Sequence, residues 1–98
     1  MFVHSVYFWL KDSLTEEQKA DFKAQLEILT QIKPCEFATY GTAVPSERPV
    51  VDSSYSYLLM GAYKTSADHD AYQVHPDHQH FLKNYNTYWD KVLIYDAD

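Results

Sequence analysis

The sequence predicts an α+β fold ordered β-α-β-β-α-β, the ferredoxin-like arrangement in which two helices cover one face of a four-stranded antiparallel sheet. Three observations carry this. Segments rich in β-branched and aromatic residues alternate with segments of helical periodicity along 98 residues. The connecting segments carry proline or capping residues at the places where the periodicity changes. The strands are apolar on both faces, which fits a sheet with helices on one side and another subunit on the other.

The first strand spans 2–11, with Phe2, His4, Val6, Phe8 and Leu10 on one face and Val3, Ser5, Tyr7 and Trp9 on the other. Ser13 and Thr15 offer caps for a helix, with Glu16 or Gln18 three residues on as the returning partner. Phe22, Leu26, Leu29 and the pair Ile28 and Ile32 supply its inner stripe, and Pro34 is expected to end it. A second strand runs over 36–44, interrupted by Gly41, and the proline-containing stretch 45–54 reads as a surface loop. The third strand, 55–64, places Tyr55, Tyr57, Leu59 and Tyr63 opposite Leu58, Met60 and Ala62. Thr65 or Ser66 caps the second helix. A short last strand at 92–95 precedes an acidic tail that is expected to fray.

Composition narrows the function. One domain, 1–98, buries only roughly 60–65% of its unfolded surface, so help from a partner subunit is expected. Fourteen acidic residues against eight basic ones give a net charge of −6 with no basic run, which argues against nucleic acid or an anionic membrane as partner. No apolar run approaches the ~20 residues that span a bilayer. The lone Cys35 has no partner for an internal disulfide and no neighbour to activate it, and with no secretory leader in view the expected location is cytoplasmic. A Gly-rich phosphate loop is absent, so nucleotide chemistry is not expected.

Four of the five histidines fall in the segment 69–81, which makes it the candidate site. Pro76 lacks an N–H and clashes with the carbonyl of Tyr72, so a helix must break at His75-Pro76 and restart there. From that restart His78, Phe81, Leu82, Tyr85, Tyr88 and Trp89 recur on one helix face, which turns His78 inward and His80 toward water. His75 and His78 with His4 raise a metal site as a rival. Zinc catalysis takes three protein ligands and no carboxylate completes the set, so no metal is assigned.

The stretches Val3-His4-Ser5-Val6, Tyr72-x-x-His75-Pro76-x-His78-x-x-Phe81 and Trp89-x-x-Val92-Leu-Ile-Tyr-Asp96 resemble the stress-responsive A/B barrel family of dimeric α+β barrels. The likeness covers essentially the whole chain. It implies a homodimer and a cavity between each sheet and its own helices. It also implies that His78 is a catalytic base assisted by Tyr72, with His4, Tyr57, Phe81 and His75 lining a substrate site and no cofactor. Tyr57 stands where polyketide cyclases of that family have a further pocket histidine. Two classes of function follow from the likeness. One is a cofactor-independent cyclase, lyase or monooxygenase acting on a small aromatic or polyketide-like compound. The other is a non-catalytic dimer that binds a ligand or protects other proteins under stress.

Overall fold

The computed structural model describes all of Met1–Asp98 as β1 (Phe2–Leu10), α1 (Glu16–Leu29), β2 (Phe37–Thr42), β3 (Tyr57–Tyr63), α2 (Ser66–Gln73), α3 (Pro76–Tyr85) and β4 (Trp89–Ala97). The sheet is antiparallel throughout, in the order β2-β3-β1-β4. This is the ferredoxin-like topology, with its second helical layer divided in two at Pro76.

Local chemistry accounts for the helix boundaries. Thr15 Oγ1 accepts from the Gln18 N–H at 3.1 Å while Gln18 Oε1 accepts from the Thr15 N–H at 2.8 Å, a closed capping box that starts α1. Helix α1 stops at Leu29 with Thr30 as its C-cap, ahead of Pro34. Thr65 Oγ1 caps α2 through the Asp68 N–H at 3.2 Å. His75 is extended and caps α3, whose first residue is Pro76.

Alternation along β1 resolves into two faces. His4, Val6 and Phe8 are buried under the helices, joined by Leu59 and Tyr63 from β3. Phe22 and Leu26 of α1 are sealed completely, and Phe22 meets Phe8 edge-on at 5.3 Å and Phe81 at 5.6 Å. Burying a side chain of this size stabilises by roughly 1.5–3 kcal/mol. On the opposite face Val3, Tyr7, Trp9, Leu58 and Met60 are only half-buried, with no helix above them. The 45–54 loop reaches this face rather than the helical side. Trp9 Nε1 donates to Ser54 Oγ at 3.1 Å, and Tyr55 packs edge-on against Tyr7 at 5.2 Å.

Four local expectations are corrected. Helix α3 ends at Tyr85, so Trp89 belongs to β4 and not to the helical stripe. The chain turns where Tyr88 N–H donates to Tyr85 O, and Trp89 then pairs with Leu10 at a bulge. The tail does not fray: β1 is long enough to pair Ala97 with Val3 and Asp96 with His4, so β4 runs on to Ala97. Tyr55 precedes β3 instead of starting it. Ile28 is exposed on the outer side of α1.

Candidate functional site

Between the sheet and the break separating α2 from α3 lies a cavity of about 200 Å³. Its walls are apolar, formed by residues such as Phe8, Leu29, Leu59, Phe81 and Trp89, and its polar members are His4, Tyr72, Gln73 and His78. The helix break creates this grouping. Because His75 is extended and the Asp77 N–H, which would otherwise donate to Gln73, is taken by His75 Nδ1, the Gln73 carbonyl is released from the helical ladder. That carbonyl accepts from His78 Nδ1 at 3.0 Å and from Gln79 Nε2 at 2.7 Å.

The contact to Gln73 defines the tautomer of His78. A carbonyl only accepts, so Nδ1 carries the proton, and in the neutral ring Nε2 is left as a free acceptor. Burial lowers the His78 pKa, and the nearby His4 charge acts in the same direction against the opposing pull of the Gln73 carbonyl. The ring therefore stays neutral, the state a base requires. Tyr72 lies beside it, with ring centroids 4.6 Å apart, and is buried on the helical side of the sheet. Burial raises the Tyr72 pKa, so its hydroxyl remains a donor.

The first-strand histidine reaches the same cavity from the sheet. His4 Nδ1 sits 2.5 Å from Asp96 Oδ1, across the β1–β4 register pair. The carboxylate can only accept, so Nδ1–H is the donor of this hydrogen bond. Further out on the same cluster, the His69 ring lies 4.3 Å from His4, 6.0 Å from Tyr72 and stacks on Phe2 at 4.6 Å. His69 Nδ1 faces the Gln73 side-chain amide nitrogen at 3.4 Å, which assigns the ring proton to Nε2. That nitrogen is buried without a hydrogen-bond partner. Burial, with the neighbouring His4 charge, holds the His69 pKa below its ordinary value.

Of the residues singled out from sequence, His78, Tyr72, His4 and Phe81 line the one cavity. Tyr57 does not: it pairs with Phe8, four residues along β3 from the partner of His4, or about 13 Å away, and stands next to Phe22 at the other end of the sheet. His75 does not either, because its Nδ1 accepts from the Asp77 N–H at 3.1 Å as the cap of α3. Leu82, expected to face inward, is 41% exposed at the cavity mouth. His80 is exposed and faces Asn84. Two members of the cluster were not anticipated as such. His69 carried a signal, since it stands three residues before Tyr72 on the same helix face. Asp96 carried none, because its partner is 92 residues away. No three His, Cys, Asp or Glu side chains converge in an arrangement that could hold a metal ion.

Residues 2–98 match the family model of the stress responsive A/B barrel domain. The chain belongs to this family. Among related A/B barrel sequences, olivetolic acid cyclase from Cannabis sativa is 26% identical over 94 residues, covering 95% of this chain and 91% of the cyclase. Among solved structures, a dimeric ferredoxin-like protein of unknown function from Thermobifida fusca superposes with a TM-score of 0.78 at 20% identity, covering 98% of this chain and 88% of that one. Hydroxynitrile lyase from Passiflora edulis superposes with a TM-score of 0.77 at 19% identity, covering 98% and 90%. The two structural likenesses bear out the ferredoxin-like fold. No helix is long and apolar enough to cross a membrane.

Proposed function

We propose that this A/B barrel protein is a homodimer whose protomers each hold an acid–base pocket for a small aromatic or polyketide-like compound. The observation that carries the proposal is the hydrogen bond from His78 Nδ1 to the Gln73 carbonyl, which leaves a neutral imidazole with a free Nε2 on an apolar cavity. In the reaction His78 Nε2 removes a proton from the carbon next to a carbonyl, and the Tyr72 hydroxyl donates a hydrogen bond to the carbonyl oxygen as it becomes an enolate. Proton abstraction of this kind requires no cofactor. The relatives that bear cyclase and lyase names favour those two reaction types over a monooxygenase.

The dimer reading rests on the uncovered sheet face. Tyr7, Trp9, Leu58 and Met60 form a half-buried apolar surface with no helix above it, the kind of patch that marks an interface, and a structural neighbour is dimeric. A cytoplasmic location is the reading that the single unpaired Cys35 supports. A second reading, a ligand-binding dimer without turnover, draws on the predominantly apolar lining of the cavity.

Small aromatic and β-keto compounds screened for turnover test the catalytic reading. His78→Ala is expected to lower kcat by about 10²–10⁴-fold and Tyr72→Phe by less, with KM changing little. Full activity in His78→Ala would move the chemistry elsewhere, and ligand binding without turnover of any compound would favour the second reading.

A further inference from the structure

The pocket also carries information on the charge and size of what enters it. None of the residues lining the cavity is a lysine or an arginine, although the chain has eight such residues. The Asp96 carboxylate is bonded to His4 and is not itself among the lining residues. The mouth is apolar as well: Leu82, Val92 and Ile94 line the cavity while remaining 40–50% exposed. A carboxylate or phosphate drawn into such a space would lose its hydration with no cation to replace it, and an isolated buried charge is among the most costly things a protein interior can hold. The polar groups that are present ask for something else. His78 Nε2 accepts, and the Tyr72 hydroxyl donates, so a bound molecule must offer a weakly acidic hydrogen and a carbonyl-type acceptor.

Size gives a second limit. An apolar cavity of roughly 150 Å³ is known to hold benzene, so about 200 Å³ accommodates one ring with a few further heavy atoms and not a fused or multi-ring skeleton.

We infer that the pocket selects uncharged, single-ring carbonyl compounds and discriminates against their carboxylate and phosphate-bearing counterparts. The part of the substrate that enters is therefore a neutral ketone, aldehyde or ester, with no carboxylate or phosphate inside the cavity. The inference rests on the acid–base pocket proposed above, but on its walls and rim instead of on the basicity of His78.

A pair of probes with nearly the same shape separates the two. 4-Methylacetophenone and 4-methylbenzoate differ in having a methyl ketone or a carboxylate on the same ring, with 4-methylbenzamide as a neutral control. Binding is followed by amide chemical shifts of the full-length protein at pH 7.5. The ketone and the amide are expected to perturb residues of β1 and α3 and to bind at least about tenfold more tightly than the benzoate, the ratio that corresponds to ~1.4 kcal/mol. Leu82→Arg, at an exposed position on the mouth, is expected to reduce that ratio to about threefold or less by supplying the missing cation. Benzoate binding equal to that of the ketone in the wild type, no binding of either neutral probe at millimolar concentration, or an unchanged ratio in Leu82→Arg would each overturn the inference. Deuterium exchange into the methyl ketone in D₂O reports separately on His78. Selectivity without exchange overturns the base reading alone, and exchange without selectivity overturns this inference alone.

Discussion

His69 offers a quantitative test of how the cluster is held. Its ring is 4% exposed and its Nε2 has no partner, so the folded state carries a desolvated donor. Such a group costs about 1–3 kcal/mol. Replacing it with leucine, of similar volume, removes that cost and also removes the stacking on Phe2 and the contacts with His4 and Tyr72. Aromatic contacts of this kind contribute about 0.5–1.5 kcal/mol. The long 3.4 Å contact to Gln73 contributes little. His69→Leu is therefore expected to stabilise by about 1 kcal/mol, or about 4–8 °C in Tm for a domain of this size. Urea and thermal unfolding followed by circular dichroism at fixed protein concentration measure it, since the proposed dimer would make stability depend on concentration.

The same substitution has a pH signature. Burial holds the folded-state pKa of His69 below the unfolded value of about 6.5, so the unfolded chain binds the proton more readily. Stability is then lost as pH falls below about 6.5 toward the folded value, by at most ~1.4 kcal/mol per pH unit for one group. His78 is shifted in the same direction and contributes its own loss. Removing His69 should flatten the acid limb without abolishing it. A variant less stable than wild type by more than ~1 kcal/mol, or one with an unchanged acid limb, would refute the assignment of an unpartnered neutral imidazole.

Three further outcomes are expected. Trp9→Glu places a charge on the uncovered sheet face and should dissociate the proposed dimer in light scattering at micromolar concentration, whereas a monomeric wild type or an intact Trp9→Glu dimer would exclude this face as the interface. Pro76→Ala lifts the bar to a continuous helix, in which the Gln73 carbonyl would accept from the Asp77 N–H and release His78; loss of the Nδ1–H tautomer in ¹⁵N spectra is expected, and its persistence would show that packing alone maintains the break. Phe22→Ala, at the fully buried meeting point of α1, Phe8 and Phe81, should cost about 3–5 kcal/mol in chemical denaturation, and a cost below 1 kcal/mol would contradict the core as described.

Much of this molecule is legible locally. Period-two alternation in residues 2–10 separates His4, Val6 and Phe8 from Tyr7 and Trp9, because the backbone of any strand sends successive side chains to opposite faces. The Thr15 and Thr65 caps and the restart at Pro76 follow from backbone donors and acceptors within a few residues of one another. The meeting of Tyr72 with His78 depends on that restart and was anticipated from the motif. What lies beyond local reach is register and depth. Leu82 and Trp89 satisfy a helical stripe by spacing, yet the chain turns after Tyr85 and delivers Trp89 to β4, where it packs on Phe8 from the sheet side. Tyr57 and His75 have suitable chemistry but the wrong place, one about 13 Å along its strand and the other occupied as a cap. The final residues look too polar to stay ordered, and only the antiparallel pairing of β4 with the first strand brings Asp96 to His4 across 92 positions. Sequence by itself determined the order of the elements, the starts of the helices and the two faces of the first strand. Only the tertiary structure decided how far along those faces the polar groups converge, because that distance depends on strand register and helix termination, which are set by partners remote in the chain.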